Sequence, residues 1–131
     1  MKLTLDVENT VTKRDGKMHL DPFEPDNSLV MVGILTDQGQ CLTLPFDHAD
    51  VPNQRDHYER VQWFLDEATI LICHNAAYDL LWLWESGFKY DGPVFDTMLA
   101  EYVLQRGVKE PLSLEACAER YDLDTKKQDT L

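Results

Sequence analysis

Asp6 and Glu8 are the first residues in this chain whose type and spacing could do chemistry. In the run Leu-Thr-Leu-Asp-Val-Glu, Leu3, Leu5 and Val7 alternate with Thr4, Asp6 and Glu8. That is the period of a β-strand, so the two acids project from one face. Carboxylates placed this way repel. A dication between them removes the cost, because carboxylate oxygens are preferred ligands of Mg²⁺ and Mn²⁺. The plainer reading is a solvated strand face. A second pair, Asn75 and Asp79, lies four residues apart and shares one face of a helix. If that helix starts beside the first strand, Asp6, Glu8 and Asp79 converge. Three such carboxylates make a two-metal site for phosphoryl chemistry, with ions on the attacking water and the leaving oxygen.

The elements that must position these groups follow from pattern. Residues 9–27 are polar and hold Asp15-Gly16, Pro22 and Pro25, which read as turns and loop; Lys13, Arg14 and Lys17 form a basic cluster there, a solvated loop or a phosphate contact. Residues 28–35 are a continuous apolar run suited to a central strand. Asp37-Gln38-Gly39 signals a turn, and residues 40–46 complete a hairpin before a loop bounded by Pro45 and Pro52. Tyr58, Val61, Phe64 and Leu65 set a helix over 55–68. Residues 69–73 read as a short buried strand that runs into His74-Asn75, with Asn75 as the cap of the next helix. In that helix Trp82, Leu83 and Trp84 read as an apolar face rather than a base-stacking platform. Gly87 and Gly92-Pro93 break the chain before a short strand at Val94 and Phe95. Asp96-Thr97 opens a helix through Leu104, and Pro111 sits at the start of a last one carrying Leu112, Leu114, Ala118 and Tyr121. Antiparallel strands come first and crossovers follow. The expected fold is α/β, a mixed sheet of about five strands flanked by helices, in one domain over residues 1–131.

Composition narrows the function. A net charge of −12 argues against a broad basic surface for nucleic acid. Phosphates met through bound metal ions are not excluded, because the ions invert the local charge. Three cysteines, Cys41, Cys73 and Cys117, with no paired spacing fit a reduced, cytoplasmic setting. No basic segment followed by an apolar run suggests a signal peptide, and no apolar run suggests a membrane. There is no glycine-rich phosphate loop and no zinc spacing among His19, His48, His57 and His74.

In its motifs the chain resembles the 3′–5′ proofreading exonuclease domain of family A DNA polymerases, of phage type, within the DEDD exonucleases of the ribonuclease H-like fold. Asp6-Val7-Glu8 is similar to the first exonuclease motif, Asp-x-Glu. His74-Asn75-Ala76-Ala77-Tyr78-Asp79 is similar to the second, Asn-x-x-(Phe/Tyr)-Asp. Phe95-Asp96-Thr97-Met98-Leu99, then Tyr102-Val103-Leu104 and Leu112-Ser113-Leu114-Glu115, resemble the segment that follows. The resemblance implies that Asp6 ligates both of two Mg²⁺ or Mn²⁺ ions, Glu8 one ion and the 3′ hydroxyl, and Asp79 the second ion. It implies substrate contacts from Thr10, Asn75 and Tyr78, and a capping or supporting role for Asp96. The implied substrate is a single-stranded DNA 3′ end, delivered from a polymerase region of the same parent chain. The family's third motif, Tyr-x-x-x-Asp or His-x-x-x-x-Asp, has no match here apart from His74 to Asp79, whose aspartate is already used. The chain is therefore expected to be a fragment without that motif. A ribonuclease D-like exoribonuclease, or an inactive binding module on the same fold, are the other readings.

Overall fold

The computed structural model describes residues 1–46 and 54–125, so His48, Pro52 and the stretch 126–131 lie outside the described residues. The chain runs β1 (Lys2–Asn9), β2 (Thr12–Arg14), β3 (Lys17–His19), β4 (Leu29–Thr36), β5 (Cys41–Pro45), α1 (Gln54–Glu67), β6 (Ile70–Cys73), α2 (Ala76–Glu85), β7 (Val94–Asp96), α3 (Thr97–Leu104) and α4 (Leu114–Arg120). Five strands form one mixed sheet in the order β5-β4-β1-β6-β7. The first three pair antiparallel, and β1, β6 and β7 pair parallel. This is the α/β architecture that the order of patterns predicts.

β1 sits at the centre of the sheet, between β4 and β6, and its strict alternation gives it one buried and one polar face. Leu3, Leu5 and Val7 are buried, while Thr4, Asp6 and Glu8 are exposed on the opposite face. The buried face joins Val61, Phe64 and Leu65 of α1, Leu71 of β6, and Trp82 and Leu83 of α2 in one core. Each such side chain contributes about 1.5–3 kcal/mol on burial.

Register places the acids. Lys2 pairs with Ile70 and Thr4 with Ile72, so β6 ends at Cys73 while β1 continues. Asp6 and Glu8 therefore overhang the C-terminal end of β6, where open α/β sheets place their sites.

The polar stretch expected as loop contains a hairpin, β2–β3, in its own two-stranded sheet. Asp15 (φ 52) and Gly16 (φ 75) both adopt positive φ, as a two-residue hairpin turn of matching twist requires. Strands of three residues with polar side chains show no period, which is why only the turn is visible in the sequence. The last helix also starts later than Pro111 suggests, at Leu114, with the Ser113 hydroxyl accepting from the Ala116 N–H at 3.1 Å.

Candidate active site

The site begins where β6 turns into α2. Asn75 occupies the position before the helix with φ 68, left-handed, and its side chain makes no capping bond. The cap is instead Asp96, at the end of neighbouring β7. Its Oδ1 accepts from the Asn75 N–H at 3.0 Å and its Oδ2 from the Ala76 N–H at 2.9 Å. The same carboxylate caps its own helix α3, with Oδ1 accepting from Met98 N–H at 2.9 Å and Leu99 N–H at 3.3 Å. The Cys73–Asp96 register makes this sharing possible. A capping side chain reaches the first turn from extended backbone, which Asp96 (φ −99, ψ 109) has and Asn75 has not. Burial pushes the Asp96 carboxyl up, but the four N–H donors outweigh it and hold it below the usual carboxylate range.

Asp79 lies in the first turn of α2 and is 2% exposed. The Val7 N–H and the Cys73 thiol bond its carboxylate, yet Oδ2 has no hydrogen-bond partner among the described residues. Burial first, and the neighbouring Asp6 charge second, push the Asp79 carboxyl up to about 7, against the pull of both hydrogen bonds. Burial and Asp79 together push the Cys73 thiol well above its ordinary value, so it acts as a donor to Asp79 rather than as a nucleophile.

Asp6 also lines a cavity of about 370 Å³ with His74, Leu114, Glu115, Ala118, Asp124 and Thr125. Polar contacts hold the elements around this cavity in place. His74 Nε2 donates to the Leu112 carbonyl at 2.7 Å while Nδ1 meets the Thr97 hydroxyl at 2.9 Å. Buried Glu101 of α3 receives Arg120 at 3.2 Å and the Tyr121 hydroxyl at 2.8 Å, which ties α4 down.

The fold thus brings Asp6 and Asp79 into electrostatic contact. It does not complete the expected three-carboxylate cluster: among the described residues no three His, Cys, Asp or Glu side chains are grouped to hold a metal ion. Glu8 stays exposed on the Asp6 face of β1. By register Glu8 lies two residues further beyond the end of β6 than Asp6 does. Even so, the pair suits a dication. An unpartnered buried carboxylate oxygen beside a second carboxylate is a hard oxygen donor set.

The three residues expected to contact substrate are held as follows. The Thr10 hydroxyl accepts from the Ser28 N–H at 2.8 Å and holds the entry to β4. The Tyr78 hydroxyl donates to Asn9 Oδ1 and to the Leu20 carbonyl at 3.3 Å. Asn75 is exposed. Cys73, His74, Glu115 and Asp124 were not singled out by sequence as site residues. For His74 and Glu115 a signal existed, since both stand inside the motif segments.

Sheet order, the overhanging acids of β1 and the acid in the first turn of α2 define an α/β fold of ribonuclease H-like exonuclease type. The sequence model of the 3′–5′ exonuclease family matches residues 17–130, and the chain belongs to that family. The match starts after β1, so Asp6 and Glu8 stand outside the matched span. Among solved structures the chain is similar to Brucella melitensis NrnC with bound Mg²⁺, at TM-score 0.67 and 22% identity, covering 98% of this chain and 57% of that one. It is similar to the same protein bound to pGG, at TM-score 0.66 and 23% identity, over 98% of this chain and 56% of that one. The family B DNA polymerase of the hyperthermophilic archaeon Pyrobaculum calidifontis matches at TM-score 0.60 and 17% identity, over 92% of this chain and 18% of that one. At these identities the likeness is one of fold, and the chain spans little more than half the length of NrnC. No curated protein matches the sequence. No helix among the described residues is long and apolar enough to cross a membrane.

Proposed function

We propose that this chain is the catalytic core of a DEDD-type 3′–5′ exonuclease that removes nucleotides from single-stranded DNA 3′ ends, as the proofreading part of a DNA polymerase. The observation that carries this reading is Asp79: buried, with one oxygen unpartnered among the described residues, and raised to about 7 beside Asp6. Burying a carboxylate against another carboxylate is costly unless a cation occupies the place between them. Asp6 and Asp79 would hold Mg²⁺ or Mn²⁺, with Glu8 joining from the same face of β1. Two such ions supply Lewis acidity and a water deprotonated near neutral pH. The chain's own part is to hold the two acids rigidly, Asp6 on the central strand and Asp79 on a helix turn pinned by Asp96. The cavity beside Asp6 receives the terminal nucleotide.

The polymerase assignment rests on the motif resemblance from Phe95 to Leu104 and on the family match. The second reading, an exoribonuclease of ribonuclease D type, uses the same acids. The fold likeness to NrnC, solved with pGG, favours it.

Thermal melts with chelator and with millimolar Mn²⁺ test the site. At ten times Kd, binding to the native state adds about 1.4 kcal/mol, a rise of roughly 4 °C in Tm. Wild type is expected to show it and Asp6→Asn to lose it. Equal melts for wild type with and without Mn²⁺ reject the metal site. Substrate is tested by degradation of 3′ ends in single-stranded DNA, RNA and blunt duplex. Slow cleavage is expected, because no residues here match the third motif, with single-stranded DNA fastest. A preference for RNA moves the assignment to the ribonuclease reading.

A further inference from the structure

Asp79 is hydrogen-bonded on one side only. The Val7 N–H and the Cys73 thiol both bond its carboxylate, and Oδ2 has no partner among the described residues, so both bonds fall on Oδ1. The donors come from the two central parallel strands. The pairing of β1 with β6 ends at Thr4 and Ile72, and Val7 lies beyond it. A buried backbone N–H past the end of a ladder needs an acceptor, and Asp79 supplies one. Cys73 is the last residue of β6 and is 1% exposed.

The last torsion of an aspartate side chain is broad and two-fold, so burial alone does not choose which oxygen faces the protein. A single donor leaves the carboxylate free to turn about that bond. Two donors from different strands fix its plane. One of them, the Val7 N–H, belongs to the residue next to Asp6, which ties the two acids to one backbone. The other is a side chain and can be changed. A buried cysteine ordinarily packs as a small hydrophobe, and Cys73 does stand in the core with Leu71 and Ala76. Packing and hydrogen bonding therefore make opposite demands on a replacement at this position.

We infer that Cys73 is a positioning residue: with the Val7 N–H, its thiol holds Oδ1 of Asp79 and leaves Oδ2 for the divalent cation shared with Asp6. This rests on the metal site of the exonuclease reading. Cys73 is not itself a ligand in that site; its sulfur acts through Asp79. Groups that orient a metal-binding side chain in this way matter nearly as much as the ligands.

The test is Mn²⁺ titration of the chain, read by the paramagnetic resonance of the free ion, for wild type, Cys73→Ser, Cys73→Val and Cys73→Ala. The Ser variant keeps a donor and is expected to hold Mn²⁺ within about threefold of wild type, while Val and Ala, which have none, weaken it about tenfold. Packing alone predicts the reverse order, because Val fills the space with carbon and Ser buries a hydroxyl. Melts with metal chelated show that each variant is folded. If Val and Ala bind Mn²⁺ as wild type does, or Ser loses as much as they do, the inference falls and the metal site stands.

A second measurement leaves residue 73 unchanged. In Cys41→Ser/Cys117→Ser the remaining thiol is that of Cys73. Its infrared S–H stretching band is expected at lower frequency than that of the exposed Cys41 thiol, because a bond to a carboxylate weakens S–H. A band at the frequency of the exposed thiol overturns the inference. If wild type binds no Mn²⁺, the metal site fails and takes the role of Cys73 with it.

Discussion

With divalent metal chelated, Asp79→Asn is expected to raise the unfolding free energy at about pH 8.5 by on the order of 4 kcal/mol. The carboxyl rises from 3.8 to about 7 in the folded protein, so the folded state holds this proton more tightly than the unfolded chain. The favourable contribution is complete below the unfolded value of 3.8, declines as pH rises, and is lost once pH passes through about 7. Above that the ion is buried beside Asp6 at full cost. The gap from 3.8 to about 7, at 1.36 kcal/mol per pH unit, sets the scale. Urea unfolding of wild type and Asn variant at about pH 4 and about pH 8.5 isolates this group from the other acids. A difference between the two proteins that does not grow with pH would mean that Asp79 is not the buried ion described above. Mn²⁺ should narrow the difference, because it stabilises wild type and has less to bind in the variant.

Asp96→Ala is expected to destabilise the fold by about 2–4 kcal/mol, more than an ordinary cap. One carboxylate takes four backbone N–H groups from two helices, and its loss orphans donors at the starts of both α2 and α3. Asp96→Asn should do little better, since an amide has one acceptor oxygen and turns its NH₂ toward donors. The pH signature is opposite to that of Asp79. A carboxyl held low contributes stability that is present above the ordinary carboxylate value and is lost as pH falls through the folded one. Denaturation of Asp96→Ala should accordingly lose part of the acid sensitivity of wild type. A cost under about 1 kcal/mol would show that water or Asn75 replaces the cap at no penalty.

The parts legible in the sequence are those written in local periods. The alternation of Leu3 to Glu8 announces β1 and the facing of its acids, and the helical spacing of Tyr58 to Leu65 announces α1. The pairing of β1 with β6 was expected only as a condition, since register is a long-range property. Asp79 reads in the sequence as a candidate site residue, but its burial is not visible there, since it depends on Val7 and Cys73 closing over it. Asn75 reads as a cap because residue type is visible and φ is not. The motif position Tyr78 reads as a substrate contact; that its hydroxyl donates to Asn9 and Leu20, residues far away in sequence, is not visible there. Glu115 and Asp124 reach the cavity of Asp6 only through the return of α4.

The central place of β1 has a consequence in time. During synthesis this strand emerges first, and its antiparallel partner β4 follows soon after, while β6 comes some 65 residues behind. Until β6 arrives, the sheet ends at β1 with a bare row of backbone donors and acceptors, the kind of edge that recruits other chains. Charged side chains on such an edge are a known guard against that pairing. Lys2, Asp6 and Glu8 are the charged side chains that such an edge would present until the chain's own strand closes it.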